Sequence, residues 1–522
     1  MTAAARMRRI ATATLVALLV GMTTNLPAAQ AIPPPTVDPA LVPPDGSPGP
    51  DQPMRQSNMC SRTITVADPN VAVTAPGFTM LNISEAWQYS TGNGVPVAVI
   101  DTGVSSSPRL PVVGGGDYIM GGDGLTDCDA HGTIVASLIG AAPQGTPMPA
   151  PMPPGPAFPL PPRPPPPLPA VPPPGGPPAP PPPPPPPPDQ PANGPGDAEV
   201  PPPAPGAPDG VAGVAPHAVV ISIRQTSRAY EPVNPQLGDA DAHRKAGTVA
   251  TLARAIVHAA NMGARVINIS VTSCAPADDP MDQRALGAAV WYAATVKDAV
   301  IVAAAGNDGE DDCAQNPSFD PLDTADPRDW HQVKTVSSPS WFSDYVLSVG
   351  AVDNSGAPIP KSLAGPWVAS AAPGVGIMGL SPQTGGPVNA YPPIRAGEKN
   401  MPFWGTSFSA AYVSGVAALV RAKFPELSAH QVINRILQTA HNPPRGVDNL
   451  VGYGVVDPVA ALTFNVPPGE RVPPGAQSRV VVPAAPPPPP DHRARNMALA
   501  FAGLVVAVVL IASVIARARR AR

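Results

Sequence analysis

Between residues 143 and 208 more than half of all positions are proline, and positions 181 to 188 are proline without a break. Proline has no backbone donor and a fixed φ, so this stretch favours polyproline II and cannot join a sheet ladder or a packed helix. Residues 143–208 are therefore an extended, solvated insertion, for which a spacer is a better reading than a ligand for a proline-reading groove. Whatever folds must be assembled from the segments on either side. These run from about 61 to 464 and, without the insertion, hold roughly 300 residues, ample for one large core. A second proline-rich segment, within 465–496, reads as a stalk.

The two ends carry different signals. Arg6, Arg8 and Arg9 precede an apolar stretch and then Ala29-Gln30-Ala31, the pattern of a secretory signal peptide over 1–31. Residues 497–516 are an apolar run broken only by Ser513, followed by Arg517, Arg519, Arg520 and Arg522. About 20 apolar residues are the length of a membrane-crossing helix, and arginine stays on the cytoplasmic side. The expected topology is one span, with 517–522 as a cytoplasmic tail and everything from Ile32 onward outside the cytoplasm. Setting aside the signal and tail arginines leaves 25 basic against 37 acidic residues, a balance that argues against nucleic acid or an anionic lipid surface as partner. Four cysteines in an exported domain point to two disulfides, with three pairings open.

Short apolar runs alternate with helical patterns in the folded part. Residues 95–100 (VPVAVI), 218–223 (AVVISI), 265–270 (RVINIS), 299–304 (AVIVAA) and 345–349 (YVLSV) read as buried strands, with helices over about 247–262 and 281–296. Near-continuous apolar strands separated by helices mean a parallel sheet covered on both faces, so the fold class is doubly wound α/β. Sites in such sheets lie at the carboxyl ends of the strands. Asp101 ends the first strand, and Asn307 follows the fourth. His131 opens a helix of apolar period, and Ser407 opens another in WGTSFSAAYVSG. A hydroxyl becomes nucleophilic when an imidazole takes its proton, and the imidazole needs a carboxylate on its other nitrogen. Asp101, His131 and Ser407 supply that set, while Asn307 and the Ser407 backbone N–H could receive an oxyanion. Each alone could be a turn or cap residue. All four falling on one sheet edge by accident is improbable.

VAVIDTGV, HGTIVAS, AAAGN and GTSFSAA, in that order, resemble the aspartate, histidine, oxyanion and serine motifs of the subtilisin-like serine proteases. GVAP at 213–216 matches as well, and the likeness runs from about 82 to 462. A cysteine ahead of the aspartate motif, INISVTSC, the proline-rich stalk and a C-terminal span resemble one subgroup, the mycosins, which are membrane-anchored proteases of mycobacterial type VII secretion systems.

This resemblance implies a serine endopeptidase acting outside the cytoplasmic membrane on exported proteins, with protein substrates and components of the secretion membrane complex as partners. The alternative it also implies is a structural subunit of that complex, with proteolysis secondary. It implies substrate-strand residues Ser270 and Val271, disulfides Cys60–Cys128 and Cys274–Cys313, and no cofactor or metal. It also implies an N-terminal extension, 32–81, that wraps a protease domain spanning 82–464 and stays attached. Ile134 stands where many subtilases have a second histidine, and Phe408-Ser409 where Met-Ala is usual, changes that bear on substrate preference. The acidic groups at 308–312 and at Asp123, Asp127 and Asp129 read as solvated loops, because no calcium-ligand spacing repeats.

Overall fold

The computed structural model describes residues 32, 35–153, 198–234, 246–279, 281–317, 328, 330–393, 395, 397–444, 446–474 and 493–520. The expected signal segment, residues 154–197 of the insertion, residues 475–492 of the stalk and residues 521–522 of the tail lie outside the described residues.

The first of two compact units runs to Ala476 and is built on seven strands: β1 (Pro96–Asp101), β2 (Val112–Asp117), β3 (Val219–Arg224), β4 (Val266–Ile269), β5 (Val300–Ala304), β6 (Val346–Val352) and β7 (Val368–Pro373). Their order across the sheet is β7-β6-β5-β4-β1-β3-β2, and every pairing is parallel. The doubly wound reading of the sequence is what the structure contains. Alternate residues of each strand face opposite ways. Val97, Val99, Val300, Val302, Leu347 and Val349 therefore pack on one face, against α1 (His131–Gly140) and α4 (Thr406–Lys423). Ala98, Ile100, Ile267, Ile269, Ile301 and Ala303 pack on the other, against α2 (Val249–Asn261) and α3 (Arg284–Trp291). Both faces are dry, which is why the strands read as continuous apolar runs rather than as alternating ones.

Two strands had no apolar run to betray them. β2 carries Gly114, Gly115 and Gly116; at Gly115 a Cβ would stand 2.7 Å from the Ile221 side chain of β3, so the glycine allows close strand contact. β7 reads VASAAP, small residues of low strand propensity, and is held at the opposite edge by β6. The helix expected over 281–296 is shorter than foreseen. α3 ends at Trp291 and the chain widens into a π-type turn over Tyr292–Val296, where the Thr295 hydroxyl donates to the Trp291 carbonyl at 2.5 Å.

Residues ahead of the sheet lie along this unit. Asp45 bonds His258 Nδ1 at 2.8 Å and accepts from Asn261 at 2.9 Å, and Asp51 pairs with Arg254. Strand Met54–Gln56 pairs antiparallel with Tyr230–Pro232. The C-terminal end of the insertion is also docked, since Val200 N–H donates to the Thr65 carbonyl at 2.8 Å and Arg62 meets Glu199 at 2.5 Å. Two disulfides are formed, Cys60–Cys128 and Cys274–Cys313. The first closes a loop of 68 residues, so its loss frees much denatured-chain entropy. Cys60→Ser/Cys128→Ser should lower unfolding stability by about 2–4 kcal/mol in a urea titration of the oxidised protein. A change below about 0.5 kcal/mol would contradict that.

The second unit, from Gln477, is described over α5 (Arg493–Arg520). The expected span over 497–516 lies within it, and Phe501, Leu504, Val508 and Ile511 are exposed. Among the described residues no helix is long and apolar enough to cross a membrane. Several α5 side chains, Val505 and Val506 among them, lie outside the described set.

Candidate active site

The carboxyl ends of β1, β4 and β5 stand side by side in the sheet. Asp101 is the last residue of β1, Ser270 follows β4, and Asn307 stands three residues beyond β5. α1 and α4 bring His131 and Ser407 to this rim through their first turns. Both helices are lined with small residues because both are sunk against the sheet. In α4 every side chain from Thr406 to Arg421 is buried.

Asp101 is fully buried, and its Oδ1 meets His131 Nδ1 at 2.7 Å while accepting from the Thr102 N–H at 2.7 Å. The next residue, Gly132, has no freedom to be larger. A Cβ there would lie 2.1 Å from the Gly103 carbonyl oxygen and 3.1 Å from Asp101 Oδ1. Burial pulls the imidazole pKa down, but the charge and hydrogen bond of Asp101 outweigh it, with Asp127 adding to the upward pull and Arg228 opposing it. The net shift is upward. An imidazole held through Nδ1 presents Nε2 to the cleft and can accept a hydroxyl proton there.

A second buried carboxylate shapes the turn that delivers His131. Asp127 Oδ1 accepts from Thr102 Oγ1 at 2.8 Å, Asp129 N–H at 3.1 Å and Ala130 N–H at 2.8 Å. Its Oδ2 accepts from the N–H and hydroxyl of Thr133 at 2.8 and 2.6 Å. These bonds supply partners to first-turn donors that would otherwise be orphaned, and hold Ala130 at a left-handed φ of 68°. Burial pushes the Asp127 carboxyl up to about 6, against the pull of the Thr133 and Thr102 bonds. Asp129 is buried too, accepting from Ser227 Oγ and from Arg228 N–H. The solvated-loop reading of Asp127 and Asp129 is thus corrected: the loop is pinned by Cys128 and turned inward, Asp127 capping the turn into α1 and Asp129 binding residues 227–228. Asp123 is exposed, as that reading had it. Among the described residues no group of three or more His, Cys, Asp or Glu is arranged to hold a metal.

Ser407 Oγ donates to the Ser270 carbonyl at 3.0 Å rather than to His131, and Ser270 Oγ donates back to the Ser407 carbonyl at 3.0 Å. Behind them Asn268 Nδ2 donates to Ser270 Oγ at 2.9 Å and Ser414 Oγ to Asn268 Oδ1 at 2.8 Å. This buried polar chain fixes the start of α4 on the end of β4. His131 reaches the same turn through Phe408, ring centroids 5.3 Å apart. Ser270 is thus buried against the serine, while Val271 is half-buried beside the second core. Asn307 Oδ1 accepts from the N–H and hydroxyl of Thr406, both at 3.1 Å, and its Nδ2 donates to Glu310 Oε2 at 3.2 Å. Gly405 takes a φ of 135° next to that amide. The structure therefore joins Asp101 to His131 directly and gathers Ser407, Ser270 and Asn307 on the same rim. Asp127, Thr406 and Glu310 were not singled out in the sequence as parts of this site. The only hint of Asp127 was its place beside a cysteine just ahead of HGT.

The subtilase family model matches residues 92–454. Mycosin-2 of Mycobacterium tuberculosis is 69% identical over 540 residues, covering 98% of each chain. This chain belongs to the mycosin branch of the subtilase family. It is accordingly a serine endopeptidase by family. Mycosin-1 of Mycolicibacterium smegmatis is 41% identical over 98% of each chain. The crystal structure of MycP1 from Mycobacterium smegmatis has a TM-score of 0.69 at 42% identity, covering 86% of this chain and 99% of that one. A chain of the intact ESX-5 inner membrane complex gives a TM-score of 0.69 at 48% identity, covering 93% of this chain and all of that one.

Proposed function

We propose that this mycosin is a membrane-anchored endopeptidase that cleaves exported proteins outside the cytoplasmic membrane, in association with a type VII secretion complex. The observation that carries the catalytic part is the 2.7 Å bond from buried Asp101 to His131 at the rim that also holds Ser407 and Asn307. In this reading Ser407 Oγ attacks the scissile carbonyl while His131 takes its proton and later gives it to the leaving amine. Asp101 keeps the imidazole in the right tautomer and stabilises the imidazolium. The oxyanion is received by Asn307 Nδ2 and the Ser407 N–H at the start of α4. Before attack the serine hydroxyl must leave the Ser270 carbonyl, a rearrangement in keeping with the looser hydrogen bonds of substrate-free sites. Ser270 and Val271 border the substrate strand, a role supported by the contact of Ser270 with Ser407.

Residues 497–516 anchor the chain and 32–496 stand outside, a topology supported by the apolar run, the arginines behind it and two disulfides in the part ahead. Residues 32–81 remain attached to the protease domain at 82–464, a reading supported by Cys60–Cys128 and the Asp45 and Asp51 contacts. An Edman-determined mature N-terminus near Asn82 would overturn it. A second role, as a structural subunit of the secretion complex, is favoured by the similar chain within the intact ESX-5 inner membrane complex.

A fluorophosphonate probe tests the catalytic part. The purified ectodomain should be labelled, and peptide mapping should find the adduct on Ser407; a folded but unlabelled ectodomain would reject the reading. Asn307→Ala should leave folding intact and lower kcat on the order of 10²-fold, the usual cost of removing one oxyanion donor. An unchanged kcat would remove Asn307 from that role.

A further inference from the structure

The amide on which oxyanion stabilisation depends is already engaged. Thr406 holds the oxygen end of the Asn307 carboxamide through two 3.1 Å hydrogen bonds. The nitrogen end is thereby set in direction, and it donates to Glu310 Oε2 at 3.2 Å. The same nitrogen borders the backbone that leads into Ser407, because a Cβ added at Gly405 would stand 3.2 Å from it. A carboxylate on Asn307 Nδ2 is thus a carboxylate beside the place where the oxyanion would form.

Glu310 is held there by a tight loop. Its N–H donates to the Asn307 carbonyl at 3.1 Å, Cys313 N–H donates to its carbonyl at 2.8 Å, and Gly309 N–H donates to the Cys313 carbonyl at 2.9 Å. Cys313 is tied in turn to Cys274, at the start of the chain beyond Ser270-Val271-Thr272. Arg228 Nη2 stands 4.0 Å from the same Oε2. The Arg228 backbone is fixed by Asp129, on the turn that precedes His131. Glu310 Oε2 is therefore shared between the Asn307 amide and the largely exposed Arg228 guanidinium.

We propose that Glu310 restrains the oxyanion site: its carboxylate competes with the tetrahedral intermediate for Asn307 Nδ2, and a productive substrate must displace it towards Arg228. This rests on the reading of Asn307 as oxyanion donor and Ser407 as nucleophile. Two physical effects act in the same direction. The carboxylate takes up donor capacity of the amide, which has only two hydrogens to offer. It also sets a negative charge beside a second one that develops during reaction, where like charges oppose each other most strongly once water is excluded.

The rate of fluorophosphonate labelling at Ser407 tests this, because phosphonylation also builds negative charge on the oxygen that the Asn307 amide would receive. Glu310→Ala should raise the rate about tenfold or more, a part of what one oxyanion donor is worth. Glu310→Gln should raise it less, since its carbonyl oxygen still accepts from Nδ2 but carries no charge. In an Asn307→Ala background the Glu310→Ala gain should shrink to about what Glu310→Gln gives in the wild type, because the donor it would release is gone and only the charge effect is left. A gain of equal size in both backgrounds would mean that the change only loosens the loop, and would overturn the proposal. So would an unchanged rate in Glu310→Ala when the wild-type protein is labelled; that result leaves Ser407 as nucleophile. If neither protein is labelled while both are folded with disulfides intact, the nucleophile reading falls and the restraint with it.

Discussion

Ser407→Ala should abolish peptide-bond cleavage, with kcat lower by about 10⁶ and no fluorophosphonate adduct formed. The magnitude follows from the non-additivity of such sites: in subtilisin, loss of the nucleophile alone costs about as much as loss of the whole triad. The fold should survive. The change removes one hydrogen bond, Ser407 Oγ to the Ser270 carbonyl, while Ser270 Oγ keeps its bond to the Ser407 backbone carbonyl. A single such bond contributes about 1 kcal/mol net, so the variant should unfold only slightly earlier than the wild type. Activity within about tenfold of wild type would eliminate Ser407 as nucleophile. The same variant separates the two proposed roles in cells. If secretion stops when the whole chain is deleted and continues with Ser407→Ala, the chain serves the complex structurally and proteolysis is a separate output. If secretion stops with both, cleavage is what the system needs.

Asp101→Asn should keep its place in the site and still lower kcat by about 10⁴ near neutral pH. The reason lies in the 2.7 Å contact with His131 Nδ1. A carboxylate there accepts a proton-bearing nitrogen and leaves Nε2 free to take a proton. An amide can instead donate to Nδ1, which puts the imidazole proton on Nε2 and removes the base. The pH dependence should move as well. Asp101 is the main upward influence on a histidine whose pKa lies above the free value of 6.5 despite burial. As the proposed general base His131 must be neutral, so the acid limb of wild-type kcat/KM should fall above 6.5, and in the variant it should shift to lower pH. The linked stability has the opposite pH dependence. A raised imidazole pKa stabilises the folded wild type fully below the unfolded value and loses that contribution as pH rises through the folded value. A variant with an unshifted acid limb would show that Asp101 does not govern His131.

The strands were legible because both sheet faces are dry, which leaves uninterrupted runs such as VAVI in β1 and VIVAA in β5. β2 and β7 were not, because glycine and alanine carry no such signal and their pairing is decided by the neighbour each lies against. The site divided in the same way. Asp101, His131, Asn307 and Ser407 each sit in a short stretch of small residues at the end of a strand or the start of a helix, so their neighbourhood was visible locally. Asp127 looked like one acidic residue of a polar loop. Its interior position depends on five hydrogen bonds, one of them from Thr102, 25 positions away.

From the chain of residues alone came the parallel α/β architecture, the family, and the choice of a hydroxyl, an imidazole, a carboxylate and an amide as the chemistry-bearing groups. These follow from local patterns: apolar periodicity, proline's missing donor, and small residues where backbone must come close. Only the tertiary structure decided that Ser407 rests on the Ser270 carbonyl, that Asp127 is turned inward beneath His131, and that Glu310 holds the Asn307 amide. Each of these is a contact between groups whose partner is set by how the sheet, the disulfides and the loops bring distant segments together, and hydrogen-bond geometry at about 3 Å leaves no trace in the order of residues along a chain.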